Sequence, residues 1–336
     1  RQTFGCRTGN TWSSKPNSRC FASGHSNIIG PFGSLMLHVK QMKKNIKCPA
    51  CEESASRFEK KIIDHMVSKE AFDIRSCVGC GLWRTDPRPT LEKIGNYYES
   101  PNYLSHSEES QTFFKKLYNA FRSYNAIKKL KILEDHVAEK PNIRRLLDVG
   151  CGIGVFLEHA KFRKWNVFGI ETNKKARKIA EKRLKSTILE NIDDLKVEEK
   201  FDAISLWHVL EHLPDPDQVL KKLHHHSTNK AILVIGVPNR ESYDAKLYDE
   251  HWAAYDVPIH FWHFTKKDIK NLAEKTGWKV GAVLPMRLDA YYVSLLSELY
   301  KYGRKNWVKS FILGLISNYK GGHTNTSSLV YVLSKV

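Results

Sequence analysis

The sequence places this chain in the α/β class, with a doubly wound, mostly parallel sheet of seven strands behind a small four-cysteine module and linker helices. Three observations predict it. After Pro141, apolar strand-like runs alternate with helical ones, the pattern of a parallel sheet covered on both faces. One of those runs, Leu146–Val149, ends in a turn with glycines at 150, 152 and 154, and the next ends in Glu171. Ahead of them stand two C-x-x-C pairs, Cys48/Cys51 and Cys77/Cys80.

Taken in order, residues 1–41 are rich in Gly, Ser, Asn and Arg without helical or strand period, and they begin with Arg. They are expected to be a disordered leader, or not native to the fold, with Met42 resembling a natural start. Residues 42–96 make the cysteine module, which ends at Asp86-Pro-Arg-Pro89 because two prolines block helix continuation. Residues 97–137 read as a helical linker or cap, with Phe113, Phe114, Leu117, Phe121, Tyr124, Ile127, Leu130 and Leu133 at helical spacing. Residues 138–336 form the sheet domain, with strands at Arg145–Val149, Val167–Ile170, Thr187–Leu189, Ala203–Leu206, Ala231–Ile235, Lys279–Leu284 and Leu329–Leu333. A helical, aromatic insertion is expected at about 286–320.

Composition narrows the function. Of the net charge of +18, eight Lys/Arg with no Asp/Glu fall in the first 47 residues, leaving 46 basic against 36 acidic residues in the other 289. No run of five Lys/Arg makes a phosphate-binding stripe, which argues against nucleic acid as substrate. Seven cysteines, four of them in two C-x-x-C pairs, fit a reducing cytoplasm. The apolar run Phe311–Ile316 is far short of the roughly 20 residues that cross a bilayer, so no membrane partner is expected.

The series strand, glycine turn, helix, strand, acid is Rossmann-like. Side chains at Gly150, Gly152 or Gly154 would block a ligand from the backbone amides, and Cys151 between them reads as a small filler. Glu171, followed by Thr172, sits where a carboxylate can accept both hydroxyls of a ribose. A dinucleotide normally requires G-x-G-x-x-G for its pyrophosphate, whereas here the spacing is G-x-G-x-G with Asp148 two residues before it. That carboxylate would repel a diphosphate but serve the ammonium of a cationic amino-acid ligand. The expected cofactor is S-adenosylmethionine.

After the fourth strand, His208, Glu211 and His212 fall at i, i+3 and i+4, one face if the stretch is helical. His208 is the first candidate for general base, since a neutral imidazole with pKa about 6.5 takes a hydroxyl proton near neutrality. Glu211 and His212 equally read as stabilising the loop. The H-x-x-E-H pattern also matches an inverted zinc-protease motif, but it directly follows an apolar strand and is trailed by Pro214 and Pro216, which fits a strand-to-helix turn. Trp252, Tyr255, Phe261 and Trp262, among His251, His260 and His263, make an acceptor pocket or part of the core. Arg287, Tyr291 and Tyr292 would close it.

The two C-x-x-C knuckles, with 25 residues between them, are spaced for four thiolates on one zinc. Cys48, Cys51, Cys77 and Cys80 would leave the ion no open position, so its role is structural. Glu52, Glu53, Glu59, Asp64 and Glu70 between the knuckles keep this ribbon from being basic, and a lid or protein contact is expected of it.

Leu146–Gly154 resembles motif I of class I S-adenosylmethionine-dependent methyltransferases (type 11/12/23-like), and Phe201-Asp-Ala-Ile-Ser-Leu-Trp-His-Val-Leu-Glu-His-Leu-Pro-Asp-Pro216 resembles their fourth-strand motif. The likeness covers about 140–285 and the zinc-ribbon module. In particular it is similar to bacterial methyltransferases with a C-x-x-C…C-x-x-C-Gly-Leu start and an element like Asp256–Thr265, which also resemble ubiquinone-pathway O-methyltransferases. The resemblance implies adenine near Asn191, Ile192 and Asp193, with Trp207 and His208 facing the sulfonium. Some ubiquinone-type enzymes bind a divalent ion through Glu-x-x-Glu-His; here His208 stands in the first Glu position, and His260 or His263 would be the extra ligand. The expected reaction is methylation of an oxygen, with nitrogen or carbon behind it, on a small molecule such as a sugar or a quinone- or phenol-type acceptor. The alternative is a zinc-ribbon RNA-binding protein or RNA methyltransferase, which would hold RNA with strong salt dependence.

Overall fold

The structure, a computed structural model, describes residues 46–98, 113–137 and 144–336; the expected leader with Cys6 and Cys20, and the linker segments 99–112 and 138–143, lie outside them. Among the described residues the strands in chain order are β1 Ser56–Ile63, β2 Ala71–Cys77, β3 Trp83–Asp86, β4 Arg144–Val149, β5 Trp165–Ile170, β6 Phe201–Trp207, β7 Ser227–Pro238, β8 Trp262–His263, β9 Trp278–Pro285 and β10 Ser328–Lys335. The helices are α1 Leu91–Ile94, α2 Phe113–His136, α3 Val155–Phe162, α4 Lys174–Leu184, α5 Pro216–His225, α6 Tyr243–Tyr248, α7 Lys266–Lys275, α8 Asp289–Tyr302 and α9 Trp307–Gly321.

The large sheet has the order β5-β4-β6-β7-β10-β9. β5, β4, β6 and β7 are parallel, and β10 is antiparallel to both β7 and β9. Its strands read as nearly continuous apolar runs because both faces are covered. Leu146 packs with Leu130, Leu133, Leu157 and Ala160 of α2 and α3, while its neighbour Leu147 packs on the opposite face with Leu220, Leu223, Ile269 and Leu272 of α5 and α7.

The α/β, mostly parallel reading is borne out, with one correction. Among the described residues the large sheet has six strands rather than seven, and the expected strand Thr187–Leu189 is reduced to a single parallel bridge between Ile170 and Leu189. The cause is local. Lys185 leaves α4 in the left-handed conformation, and a 3-10 turn at Ile192–Asp194, closed by Asp194 Oδ2 accepting from Asn191 N at 2.8 Å, leaves too few extended residues to pair.

The cysteine-bearing sheet is antiparallel, ordered β1-β2-β3-β8. Its last strand comes from far along the chain, with Trp83 opposite His263 and Arg84 opposite Trp262. Cys48, Cys77, Leu82, Phe261 and Trp262 therefore share one apolar cluster with the face of the large sheet that carries Leu147. This joins the thiols to the domain that holds the glycine turn.

Candidate active site

The site lies where β4, β5 and β6 end. Gly150, Gly152 and Gly154 all adopt positive φ. A Cβ at Gly150 would sit 2.5 Å from Val209 Cγ2, so the turn closes on the loop after β6 only without a side chain; one at Gly152 would meet nothing within 4 Å. The second position keeps a backbone ledge open to a ligand. Cys151 is buried behind the turn, with its Sγ beside Gly169.

Two buried acids flank the ledge. Glu171, at the end of β5, accepts from Gly152 N through Oε2 and from Asn173 N through Oε1, both at 2.7 Å. Burial pushes its pKa up against those two N–H donors. Asp148 accepts from Ser205 Oγ at 2.6 Å, and burial, opposed by that bond, lifts its pKa to about 7. Lys129 of α2 reaches over the Trp207 ring, its Nζ 4.7 Å from the centroid, and burial lowers its pKa although Asp289 and Asp148 oppose this. The Thr172 hydroxyl and the Trp207 indole N–H are buried and have no hydrogen-bond partner among the described residues. Two orphaned donors, an open glycine ledge and two carboxylates fit a ribose-bearing, positively charged cofactor. Of the Asn191–Asp193 stretch, Ile192 is buried and Asp193 is exposed in an ion pair with Lys222.

His208 does not begin a regular helix. Its φ is +56°, and a 3-10 turn spans Leu210–His212, so the expected helical face is replaced by a tighter turn. Left-handed backbone on a non-glycine residue costs about 1–3 kcal/mol, and it is held by the His208 N–H to Gly236 O bond of 2.9 Å. The turn aims the imidazole between two carboxylates. Nδ1 lies 3.4 Å from Glu211 Oε1, and Nε2 lies 3.0 Å from Asp289 Oδ2. Burial opposes the charge on His208, yet Asp289 and Glu211 outweigh it and raise the pKa to about 9. The two carboxylates thus favour the charged imidazole over the neutral one expected of His208, because α8 brings Asp289 to it from far along the chain.

Glu211, His212 and His260 each bring one ligand atom to within 4.8 Å of the others, the donor set of a divalent-cation site. Both Glu211 oxygens lack a hydrogen bond among the described residues. Nδ1 of His212 faces Ile259 O at 3.1 Å and Nδ1 of His260 faces Ala254 O at 2.9 Å, an arrangement that fixes the tautomers. Burial holds both imidazoles below their ordinary pKa. His263 belongs elsewhere, with Nε2 2.9 Å from the Thr85 hydroxyl and its pKa lowered by burial to about 3.

The aromatic residues turn inward. Trp252, Tyr255, Phe261 and Trp262 are buried, and the two indoles donate to Asp244 Oδ2 and Leu213 O. Of the three residues expected to close a pocket, Tyr291 stacks on Phe311 and Arg287 donates to Asn318 O at 3.5 Å. Sequence reasoning missed Asp289, Lys129 and Ser205; only Ser205, on the same strand face as the ledge, lay within reach of period-2 counting.

The four thiols converge as well. Cys48 Sγ lies 3.4 Å from Cys80 Sγ and Cys51 Sγ 3.4 Å from Cys77 Sγ, with all four within 4.8 Å of one another.

Residues 118–283 match a family model described as a methyltransferase domain. The ubiquinone biosynthesis O-methyltransferase of Chromobacterium violaceum is 36% identical over 86 residues, 23% of this chain and 37% of that protein. Its namesake in Vibrio cholerae is 27% identical over 132 residues, 36% of this chain and 53% of that protein. The chain thus spans about a third to a half of the length of these curated relatives. A geranyl diphosphate C-methyltransferase from Streptomyces coelicolor A3(2) has a solved structure with 14% identity and a TM-score of 0.47, covering 69% of this chain and 87% of that one.

Proposed function

We propose that this chain, whose residues 118–283 match a methyltransferase domain, is a class I S-adenosylmethionine-dependent methyltransferase that methylates an oxygen of a small acceptor beside His208. S-adenosylmethionine supplies the methyl group on a sulfonium that is its own leaving group. The chain's residues supply position, an effect worth up to roughly 7–11 kcal/mol. Gly152 and Glu171 would hold the ribose end, Asp148 the amino-acid end, and Thr172 and Trp207 would spend their orphaned donors on the same ligand.

The observation that carries the reading is the Glu211–His208–Asp289 array at the end of β6. His208 accepts the hydroxyl proton once its own has left, and the two carboxylates stabilise the imidazolium that forms. Oxygen is favoured as acceptor atom because a hydroxyl proton must be taken up, and the curated relatives are named O-methyltransferases. A small acceptor is favoured by the absence of a basic stripe in the sequence. Zinc on Cys48, Cys51, Cys77 and Cys80 is part of the proposal; four thiolates would close its coordination, leaving it a structural role.

The test is transfer of a labelled methyl group to a panel of phenols, sugars, amines and RNA. Turnover on hydroxyl acceptors that is lost in His208→Ala with cofactor binding intact supports the reading. Transfer to RNA alone would overturn it.

A further inference from the structure

Helix α9 is built inside out. The residues it turns to the protein are Ser310, Gly314, Ser317 and Gly321, spaced at i, i+4, i+7 and i+11, and all are buried. The approach is close: a Cβ at Gly314 would lie 2.6 Å from Tyr291 Cδ1, and Ser317 Oγ donates to the buried Asp244 Oδ1 at 2.7 Å. Leu313 packs inward against the Trp252 cluster, but most of the large apolar residues face outward, with Trp307 68%, Val308 72%, Phe311 57%, Ile312 48%, Leu315 46% and Tyr319 85% exposed. A helix on a water-facing surface has the opposite polarity, and so broad an apolar stripe marks an interaction face.

Charge says what the face meets. From Leu299 to Val336 the sequence has no Asp or Glu, while Lys301, Arg304, Lys305, Lys309 and Lys320 lie before, along and after the stripe. Among the described residues only Lys309 of these makes an ion pair, with Glu298 at 3.0 Å. Tyr302, Trp307 and Tyr319 are exposed amphipathic rings, of the kind enriched at a bilayer interface. At 15 residues α9 is too short to cross a bilayer, and among the described residues no helix is long and apolar enough to do so.

We propose that the outward face of α9 docks in the plane of an anionic lipid surface. The rings and aliphatic side chains enter the acyl boundary and the basic residues pair with headgroup phosphates. This revises the expectation of no membrane partner, which rested on length alone. α9 packs on α8, whose first residue Asp289 holds His208, so the docked face and the candidate site share one helical pair.

The test is co-sedimentation of the full chain with vesicles of phosphatidylcholine alone or with roughly 30% phosphatidylglycerol. Binding to the anionic vesicles at least about tenfold stronger than to the neutral ones, and weakened by salt, is expected. Trp307→Ser/Phe311→Ser/Ile312→Ser should lose at least about tenfold of it, and Arg304→Glu/Lys305→Glu should lose the preference for charge without touching the apolar stripe. Binding indifferent to lipid charge, or unchanged in both variants, overturns the proposal. So does sedimentation velocity showing a dimer that the triple substitution abolishes, which would give the face to a second copy.

Discussion

Replacing Asp289 with Asn removes one of the two negative charges on His208 while keeping the size of the side chain. Asp289 is the closer, at 3.0 Å against 3.4 Å for Glu211. Together they lift the imidazole against the effect of burial, from an ordinary value of 6.5 to about 9. If Asp289 carries even half of that gap, Asp289→Asn lowers the His208 pKa by at least about one unit, or about 1.4 kcal/mol. Two measurements read this out. In the wild type, kcat/KM should rise with pH to an inflection near 9, because the free enzyme must shed the His208 proton before it can accept one; in Asp289→Asn the inflection should move down by about one unit or more. Stability gives the second. A folded pKa above the unfolded value means the pair stabilises fully below about pH 6.5 and its contribution fades as pH rises through about 9. The melting temperature of Asp289→Asn should therefore fall below wild type at about pH 6, by an amount equivalent to roughly 1 kcal/mol after discounting for the 32% exposure of the imidazole, and match it near pH 10. An inflection that stays put in Asp289→Asn, or an equal melting deficit at both pH values, would refute the argument.

Gly152→Val should weaken S-adenosylmethionine binding at least about tenfold by calorimetry at a cost in folding of about 1–3 kcal/mol for the positive φ, since a Cβ there meets no protein atom within 4 Å. Gly150→Ala should act on the fold instead: the methyl group 2.5 Å from Val209 is expected to lower the urea midpoint by the equivalent of about 1–3 kcal/mol. Elemental analysis should find about one zinc per chain, lost in Cys77→Ser together with several degrees of melting temperature.

The parts that the sequence marks are those whose physics is local. The glycine turn, Asp148 and Glu171 stand out because a strand end, a tight turn and a terminal acid follow one another within about 25 residues. The cysteine spacing is just as local. What lay hidden depends on tertiary placement. Asp289 is one acid at the start of one helix, and only the packing of α8 over the end of β6 gives it His208 as partner. Trp252, Tyr255, Phe261 and Trp262 read as a pocket by composition, but their burial is decided by neighbours such as Asp244 and Leu213. Thr187–Leu189 has strand composition and too little length between two turns. The outward face of α9 is periodic in the sequence, yet a period does not say which side faces inward.

The pairing of β3 with β8 also sets an order of assembly. Trp83 waits for His263, about 180 residues later in the chain, and at roughly 5–20 residues per second the ribosome needs about 10–35 s to deliver it. Until then β3 is an unpaired edge carrying Trp83 and Arg84, beside thiols that have not yet been packed against Phe261 and Trp262. The small sheet thus stays open until most of the large one has been made, and a fragment that stops short of Trp262 keeps that adhesive edge for good.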